Sequence, residues 1–367
     1  MSQKWLLLTL LISLPLFSQE KVGSAFSFDA QYFFGKMLGH NKNVAHLVKG
    51  HPNGFILSYN RKTFGEKYWQ QSYNYPDWGV SLLFEDFHNP VLGQNIGLYG
   101  HYNFYFFNRS LQFRVAEGIA YNTNPFDLET NFKNNAYGSH LVGSTYILFN
   151  YYQPNIYKGL GVQAGVSLIH HSNGSFKAPN SGTNVATLNV GLFYDFEDEE
   201  NPKEYRYEEI DSKTYAEKIK FNFVFRGGVN EGDNINLGQH PFYVFTVFVD
   251  KRFNYQSTLQ FGVEYFVSKF LQKEIEYRAA SFPNSGLKGD EDYNRASIFV
   301  GHEFRLGKFA IPSQLGYYVY WPYEYETRTY TRIGVKHYFT DTIFMVGTVK
   351  AHAVNAEAIE FGVGIRI

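Results

Sequence analysis

The sequence predicts an all-β protein, a transmembrane antiparallel β-barrel of about 14–16 strands. After residue 20, segments of about 10–14 residues alternate apolar side chains with polar or small ones, as strands that cross a bilayer do. No later apolar run reaches the length of about 18 residues that a membrane-spanning helix needs. Aromatic residues make up 19% of the chain, well above the share in an ordinary soluble domain.

The N-terminus has the three parts of a secretory signal peptide, which we predict over residues 1–19. Lys4 supplies a positive charge, residues 5–17 are mostly apolar, and the small or polar Ser18 and Gln19 follow. The apolar run is too short to span a bilayer as a helix. Together with the barrel pattern, this segment predicts a protein exported to the bacterial outer membrane.

Composition excludes several classes of partner and site. The formal net charge is −1, which lacks the basic excess that nucleic-acid binding needs. The chain has no cysteine, so it contains neither disulfides nor thiolate metal ligands.

The alternation defines each candidate strand. In "LQFGVEYFV" (259–267), Leu259, Phe261 and Val263 share one face, while Gln260 and Glu264 share the other. An apolar outer face and a polar inner face fit a barrel in lipid. The same reading gives sixteen candidate strands, near 24–37, 52–64, 77–87, 94–108, 110–122, 138–153, 158–172, 184–197, 216–231, 238–252, 255–268, 294–306, 309–321, 327–339, 342–353 and 356–367.

The connections suggest how the strands are arranged. With the N-terminus in the periplasm, 252–255, 306–309 and 339–342 become short periplasmic turns, and 269–294 becomes a long extracellular loop. The chain then divides into a barrel part at 20–197, a charged connector at 198–217 and a second barrel part at 218–367. We favour one larger barrel; the alternative is two tandem eight-stranded halves joined by the connector.

One polar cluster ends a predicted strand, at "LIHHSNG" (168–174). The lipid-facing set of this strand continues into His170 and Ser172, whereas His171 points to the lumen. Asn184 has the outward parity of the next strand. These three residues therefore fall on the outer surface, at the extracellular ends of two neighbouring strands.

The cluster has the composition of a nucleophilic site. Ser172 needs a base to take its proton, and His170 lies roughly 7 Å along the same strand face. Asn184 would hold the imidazole, and an uncharged residue costs less near lipid than a carboxylate. Candidate oxyanion or substrate contacts are the backbone around Asn173 and Gly174, the Asn180 amide and Lys177.

Glu117 has the same outward parity, between Val115 and Ile119. It is a possible catalytic carboxylate, but a local bulge that turns it inward is the favoured interpretation, because a charge facing lipid is costly.

The segment "HHSNG" and its strand position resemble the lipid A 3-O-deacylase family, together with the longer acyloxyacyl hydrolases. The resemblance covers about residues 24–197, as eight strands with the motif on the seventh. It implies an outer-membrane barrel in which His170 is the base and Ser172 the nucleophile. The family carries a glutamate where this chain has Asn184.

The segment is also similar to outer-membrane phospholipase A, whose pattern is H-x-S-N-G with an asparagine fourteen residues after the histidine. His170 and Asn184 have that spacing. The resemblance implies that Asn184 orients the ring. Calcium use in that enzyme depends on an acidic residue in the following loop, where this chain has Lys177. We therefore expect no cofactor, with calcium possible but unsupported.

The sequence thus predicts an outer-membrane serine esterase that removes an ester-linked acyl chain from lipid A. One alternative is a phospholipase A acting on membrane phospholipid. Another is a porin or structural barrel with a residual motif, although paired charges such as Glu360 and Arg366 on the inner face indicate a filled lumen. Residues 218–367 show no other catalytic cluster, and we expect them to act as scaffold, lumen filling or substrate shaping.

Overall fold

The computed structural model describes residues 25–196, 203–208, 217–232, 234–353 and 355–367. The predicted signal peptide (1–19) and most of the connector (198–217) lie outside these ranges. The described chain contains two α-helices, α1 (Tyr68–Ser72) and α2 (Lys269–Ser281), two short 3-10 helices (Lys42–Leu47 and Pro283–Ser285) and sixteen strands. The strands are β1 (Phe26–Met37), β2 (Asn53–Arg61), β3 (Asp77–Asp86), β4 (Gln94–Phe106), β5 (Leu111–Asn122), β6 (Leu141–Tyr157), β7 (Leu160–Ser172), β8 (Thr183–Phe196), β9 (Lys220–Asn230), β10 (His240–Arg252), β11 (Ser257–Ser268), β12 (Arg295–Leu306), β13 (Phe309–Tyr320), β14 (Thr329–Tyr338), β15 (Ile343–His352) and β16 (Asn355–Arg366).

The strands close into two antiparallel barrels, β1–β8 and β9–β16. β8 returns to β1, where Phe196 lies opposite Phe26, and β16 returns to β9, where Phe361 lies opposite Gly227. The all-β barrel class and the strand number are confirmed. The favoured single large barrel is wrong, and the tandem alternative is correct. Alternation records the face that each residue takes but not the strand it pairs with, so closure after eight strands leaves the same pattern as closure after sixteen.

Both barrels have a broad apolar outer face. Large hydrophobic side chains such as Leu188 and Phe361 are each 68% exposed. The predicted alternation in β11 is confirmed, because Phe261 is exposed while Gln260 and Glu264 are buried. Apolar surface of this extent fits lipid rather than water.

Polar and charged side chains fill both lumens. In the first barrel, Arg114 forms a buried ion pair with Asp29 at 2.7 Å. In the second, Arg332 contacts Glu264 at 2.7 Å and Glu360 at 2.6 Å. Eight strands enclose a space that side chains can fill completely. The expectation of a filled lumen therefore agrees with the structure.

The barrels contact each other at both ends. We call the end where β7 stops and β8 begins the upper rim, and the other end the lower rim. At the lower rim, the Tyr73 hydroxyl donates to the Arg305 carbonyl at 3.0 Å, and the Gln256 amide donates to the Ser72 carbonyl at 2.8 Å. At the upper rim, the contact is made by the β7–β8 loop, residues 173–182.

None of the helices in the described part of the chain has the length and apolar character of a membrane span.

Candidate active site

The predicted polar cluster lies at the upper ends of β7 and β8. Along β7, Val166 and Leu168 are exposed, whereas Ser167 and Ile169 are buried, so the strand keeps its alternation up to the motif. His170 and Ser172 share the outer face. His171 points into the lumen, where its Nε2 contacts a Glu85 carboxylate oxygen at 3.0 Å.

His170 and Asn184 are directly opposed partners in the β7–β8 pair. Nδ1 of the His170 ring lies 2.8 Å from the Asn184 Oδ1 oxygen. Since an amide oxygen only accepts hydrogen bonds, this contact selects the tautomer with a proton on Nδ1. Nε2 then keeps a free lone pair, which is the state that a general base requires.

The Ser172 hydroxyl is held by the loop that follows it. It donates to the Asn180 Oδ1 oxygen at 3.0 Å and accepts from the Gly174 N–H at 3.1 Å. The Asn180 oxygen also accepts from the Asn173 N–H at 2.8 Å. The structure thus places the amide oxygen of Asn180, not its nitrogen, beside the Ser172 hydroxyl. Proton transfer to His170 requires the hydroxyl to rotate away from Asn180.

The remaining predicted residues shape this loop. The Asn173 side chain is buried and donates to the Lys177 carbonyl at 2.6 Å. The Lys177 side chain is exposed on the outside of the loop. Hydrogen bonds from the backbone and hydroxyl of Thr130 lower the pKa of the Asp127 carboxyl in the β5–β6 loop, and the positive charge of Lys177 lowers it further.

Gly182 is a site residue that the sequence analysis missed. Its φ of +63° is left-handed. A Cβ there would lie 2.7 Å from the His171 carbonyl oxygen, 3.4 Å from Ser172 Cβ and 3.6 Å from His170 Cε1. Glycine is therefore required on both conformational and steric grounds. A glycine just before a strand is a sequence signal, but only the fold shows that it lies against His170 and Ser172.

Glu117 also lies on the outer surface of the first barrel, in the row of the candidate site. Glu117 lies opposite Thr145, Thr145 opposite His170, and His170 opposite Asn184. The favoured bulge is wrong, because the β5 register is continuous on both sides and Glu117 is exposed. The Thr145 hydroxyl donates to the Glu117 carboxylate at 2.5 Å, which compensates part of the cost of a charge at this position.

Within the described ranges, no three His, Asp or Glu side chains converge as the ligands of a metal ion would.

Two family models match the chain, one for each barrel. Residues 53–193 match the lipid A 3-O-deacylase, and residues 219–367 match the C-terminal domain of acyloxyacyl hydrolase. The chain belongs to the lipid A 3-O-deacylase and acyloxyacyl hydrolase family. The resemblance of the sequence to this family is thereby confirmed. Membership indicates, in general terms, an ester hydrolase that deacylates lipid A.

Other comparisons add little to what the deacylase family indicates. No curated protein sequence matches the chain significantly. Similar solved structures include two mutants of the Rh. blastica porin. One is 9% identical, with 93% of this chain and 98% of the porin covered and a TM-score of 0.19. The other is 10% identical, with 93% and 99% covered and a TM-score of 0.19. These scores are too low to bear on the fold or the function.

Proposed function

We propose that the protein is a serine esterase of the bacterial outer membrane that removes an ester-linked acyl chain from lipid A in the outer leaflet. The observation that carries the proposal is the contact between His170 Nδ1 and the Asn184 amide oxygen, on the same outer face as Ser172. This contact fixes the tautomer of the candidate base, and the Ser172 side chain lies near the ring, since both border the Cβ position of Gly182. The apolar outer faces and the predicted signal peptide support the location.

In the proposed mechanism, Ser172 Oγ attacks the ester carbonyl carbon while His170 Nε2 takes the hydroxyl proton. The negative charge on the carbonyl oxygen is stabilised by the main-chain N–H groups of Asn173 and Gly174, which exchange their bonds to Asn180 Oδ1 and Ser172 Oγ for bonds to the oxyanion. The bond between the carbonyl carbon and the ester oxygen of lipid A then breaks, and His170 gives the proton to the leaving alcohol. His170 next activates a water molecule, which hydrolyses the acyl-enzyme and releases the fatty acid and free Ser172. Asn184 keeps the ring oriented, and the mechanism uses no metal ion.

A phospholipase A is the second candidate, because the opposed His170–Asn184 pair also has the residue spacing of that enzyme class. Lipid A hydrolysis is favoured by the family matches to both barrels. A porin is disfavoured because the lumen-facing side chains of the described strands are buried.

The test is the mass of lipid products after the purified protein meets lipopolysaccharide or phospholipid in detergent micelles. We expect loss of one acyl chain from lipid A with the wild type and none with Ser172→Ala. Ser167→Ala is the matched control, since Ser167 lies on the same strand but faces the lumen. Equal fatty-acid release by wild type and Ser172→Ala would refute the proposal that the protein is a serine esterase. Release from phospholipid alone would favour the phospholipase.

A further inference from the structure

Glu231, in the second barrel, contacts the loop that carries the proposed nucleophile. It follows directly after β9 at the upper rim and is only 4% exposed. Its Oε2 accepts from the Ala178 N–H at 2.8 Å, and its own N–H donates to the Ser175 carbonyl at 3.0 Å. Its Oε1 accepts from the Gly238 N–H at 3.1 Å, within the second barrel. One buried carboxylate therefore joins the β7–β8 loop to the β9–β10 connection.

The first residues of β16 also contact the β7–β8 loop. The Ser175 hydroxyl donates to the Ala356 carbonyl at 2.6 Å. Ile359 packs against Gly174, where a Cβ would lie 2.3 Å from Ile359 Cγ1. A Cβ at Gly143, the β6 partner of Ser172, would lie 4.0 Å from Ile359 Cδ1. Ile359 is therefore beside the nucleophile as well as beside the loop.

These contacts act on the groups that the proposed chemistry needs. The loop is held by the second barrel at Gly174, Ser175 and Ala178, and by the first barrel where Asn180 bonds to Ser172. The main-chain N–H groups proposed to stabilise the oxyanion, those of Asn173 and Gly174, lie at the start of this loop, beside the contacts at Gly174 and Ser175. Such donors contribute to catalysis only when they are fixed before the charge develops. Hydrogen bonds from backbone N–H groups to a carboxylate are stronger than those between neutral groups, which suits Glu231 to that task.

We propose that the second barrel completes the active site of the first, with Glu231 as a positioning residue that fixes the β7–β8 loop and Ile359 as a wall beside Ser172. This inference rests on the proposed function. It predicts that the second barrel affects the rate of the chemical step and does more than join the two units.

The lower rim provides matched controls, because it joins the same two barrels far from the site. Tyr73→Phe removes the hydroxyl that donates to the Arg305 carbonyl, and Gln256→Ala removes the amide that donates to the Ser72 carbonyl. Glu291→Ala controls for the loss of a carboxylate in an upper loop, since Glu291 accepts from the Lys288 and Gly289 N–H groups within one connection.

The experiment compares full-length Glu231→Ala, Glu231→Gln and Ser175→Ala with these controls. The measurements are kcat and KM on lipopolysaccharide micelles, the rate at which a fluorophosphonate labels Ser172, and the heat-dependent gel shift that reports a folded barrel. We expect Glu231→Ala to lower kcat and the labelling rate about tenfold, less than the ~10²–10³ lost with a whole oxyanion donor, with KM within about twofold. Glu231→Gln, which keeps one accepting oxygen, should fall in between, and the controls should match the wild type.

Wild-type kcat and labelling in Glu231→Ala would overturn the inference, and so would an equal loss in Gln256→Ala. If Glu231→Ala does not fold, Glu231→Gln and Ser175→Ala decide by the same criteria. Failure of the proposed function gives a different result. In that case Ser172→Ala keeps full activity, irrespective of the activity of the Glu231 variants.

Discussion

Asn184 lies directly opposite His170, with its amide oxygen 2.8 Å from the ring Nδ1. We expect Asn184→Ala to lower kcat on lipid A about a hundredfold, because the ring loses its fixed tautomer. Disabling the charged third group of a serine triad lowers kcat by up to ~10⁴, and we expect the loss of an uncharged one to cost less. Asn184→Asp keeps an acceptor in place and should stay within about tenfold of the wild type. Fatty-acid release measures both. An unchanged rate in Asn184→Ala would exclude the orienting role.

The two adjacent histidines should respond differently to substitution. His170→Ala should abolish hydrolysis without unfolding the barrel. His171→Ala should keep hydrolysis per folded molecule but lower the free energy of unfolding by roughly 1–3 kcal/mol, because buried Glu85 loses its partner. Urea unfolding in micelles, followed by tryptophan fluorescence, measures the second effect. Loss of activity in folded His171→Ala would contradict the assignment of faces.

Gly182→Ala should impair the site more than it impairs the fold. A left-handed φ costs a non-glycine residue roughly 1–2 kcal/mol, and the clash with the His171 carbonyl would shift the loop beside Ser172. Gly286→Ala is the control, with a φ of +80° and nothing within 4 Å of its Cβ position. We expect about a tenfold loss of kcat in Gly182→Ala only. Equal kinetic effects of the two substitutions would contradict this account.

Lys177 should affect substrate binding rather than chemistry. Its exposed ammonium group lies on the loop beside the site, and one such charge is worth about 1 kcal/mol toward an anionic membrane surface, or about fivefold in KM. We expect Lys177→Ala to raise KM for phosphorylated lipid A but not for a neutral ester, with an effect that shrinks at high salt. Lys308→Ala, exposed at the lower rim, should leave KM unchanged. An equal KM change on the neutral ester would argue against a charge effect.

Calcium should not be needed for turnover. The sequence carries Lys177 in the loop beside the site, and a positive side chain repels a divalent cation. We expect lipid A hydrolysis to continue in EDTA and to gain nothing from added Ca²⁺. Activity that EDTA abolishes and Ca²⁺ restores would show a metal requirement.

The faces of the strands could be predicted from the sequence because side-chain alternation is local. The outward positions of His170, Ser172 and Asn184 follow from the residues immediately before or after each one. For Glu117, alternation alone predicts an outward side chain, which is correct. The bulge that would turn it inward is absent from β5. The partner that makes this carboxylate tolerable, Thr145, lies on another strand and could not be read from the segment around Glu117.

Features that depend on distant segments could not be predicted. Closure of β8 on β1 joins residues 148 to 170 positions apart, from Met37–Val185 to Phe26–Phe196, and no local pattern records it. The segment 269–294, which the sequence predicts as a long extracellular loop, contains the helix α2, whose buried Phe270, Leu271 and Ile275 pack against Tyr323 and Tyr325. Nothing in the sequence around Glu231 or Ile359 distinguishes either residue from others near strand ends. Their contacts with the β7–β8 loop depend on how the two barrels pack together.

The division of sixteen strands into two cylinders changes the shape that the protein presents to lipid. A single sixteen-stranded cylinder would be convex around its whole circumference, so a catalytic serine on its outside would face open bilayer. Two narrow cylinders that touch at both rims meet along a concave seam. Ser172 and Ile359 lie at the upper end of that seam, so a lipid bound at the proposed site would contact both barrels. The division into two barrels thus brings a side chain of the second barrel, Ile359, beside the outer face of the first without opening either lumen.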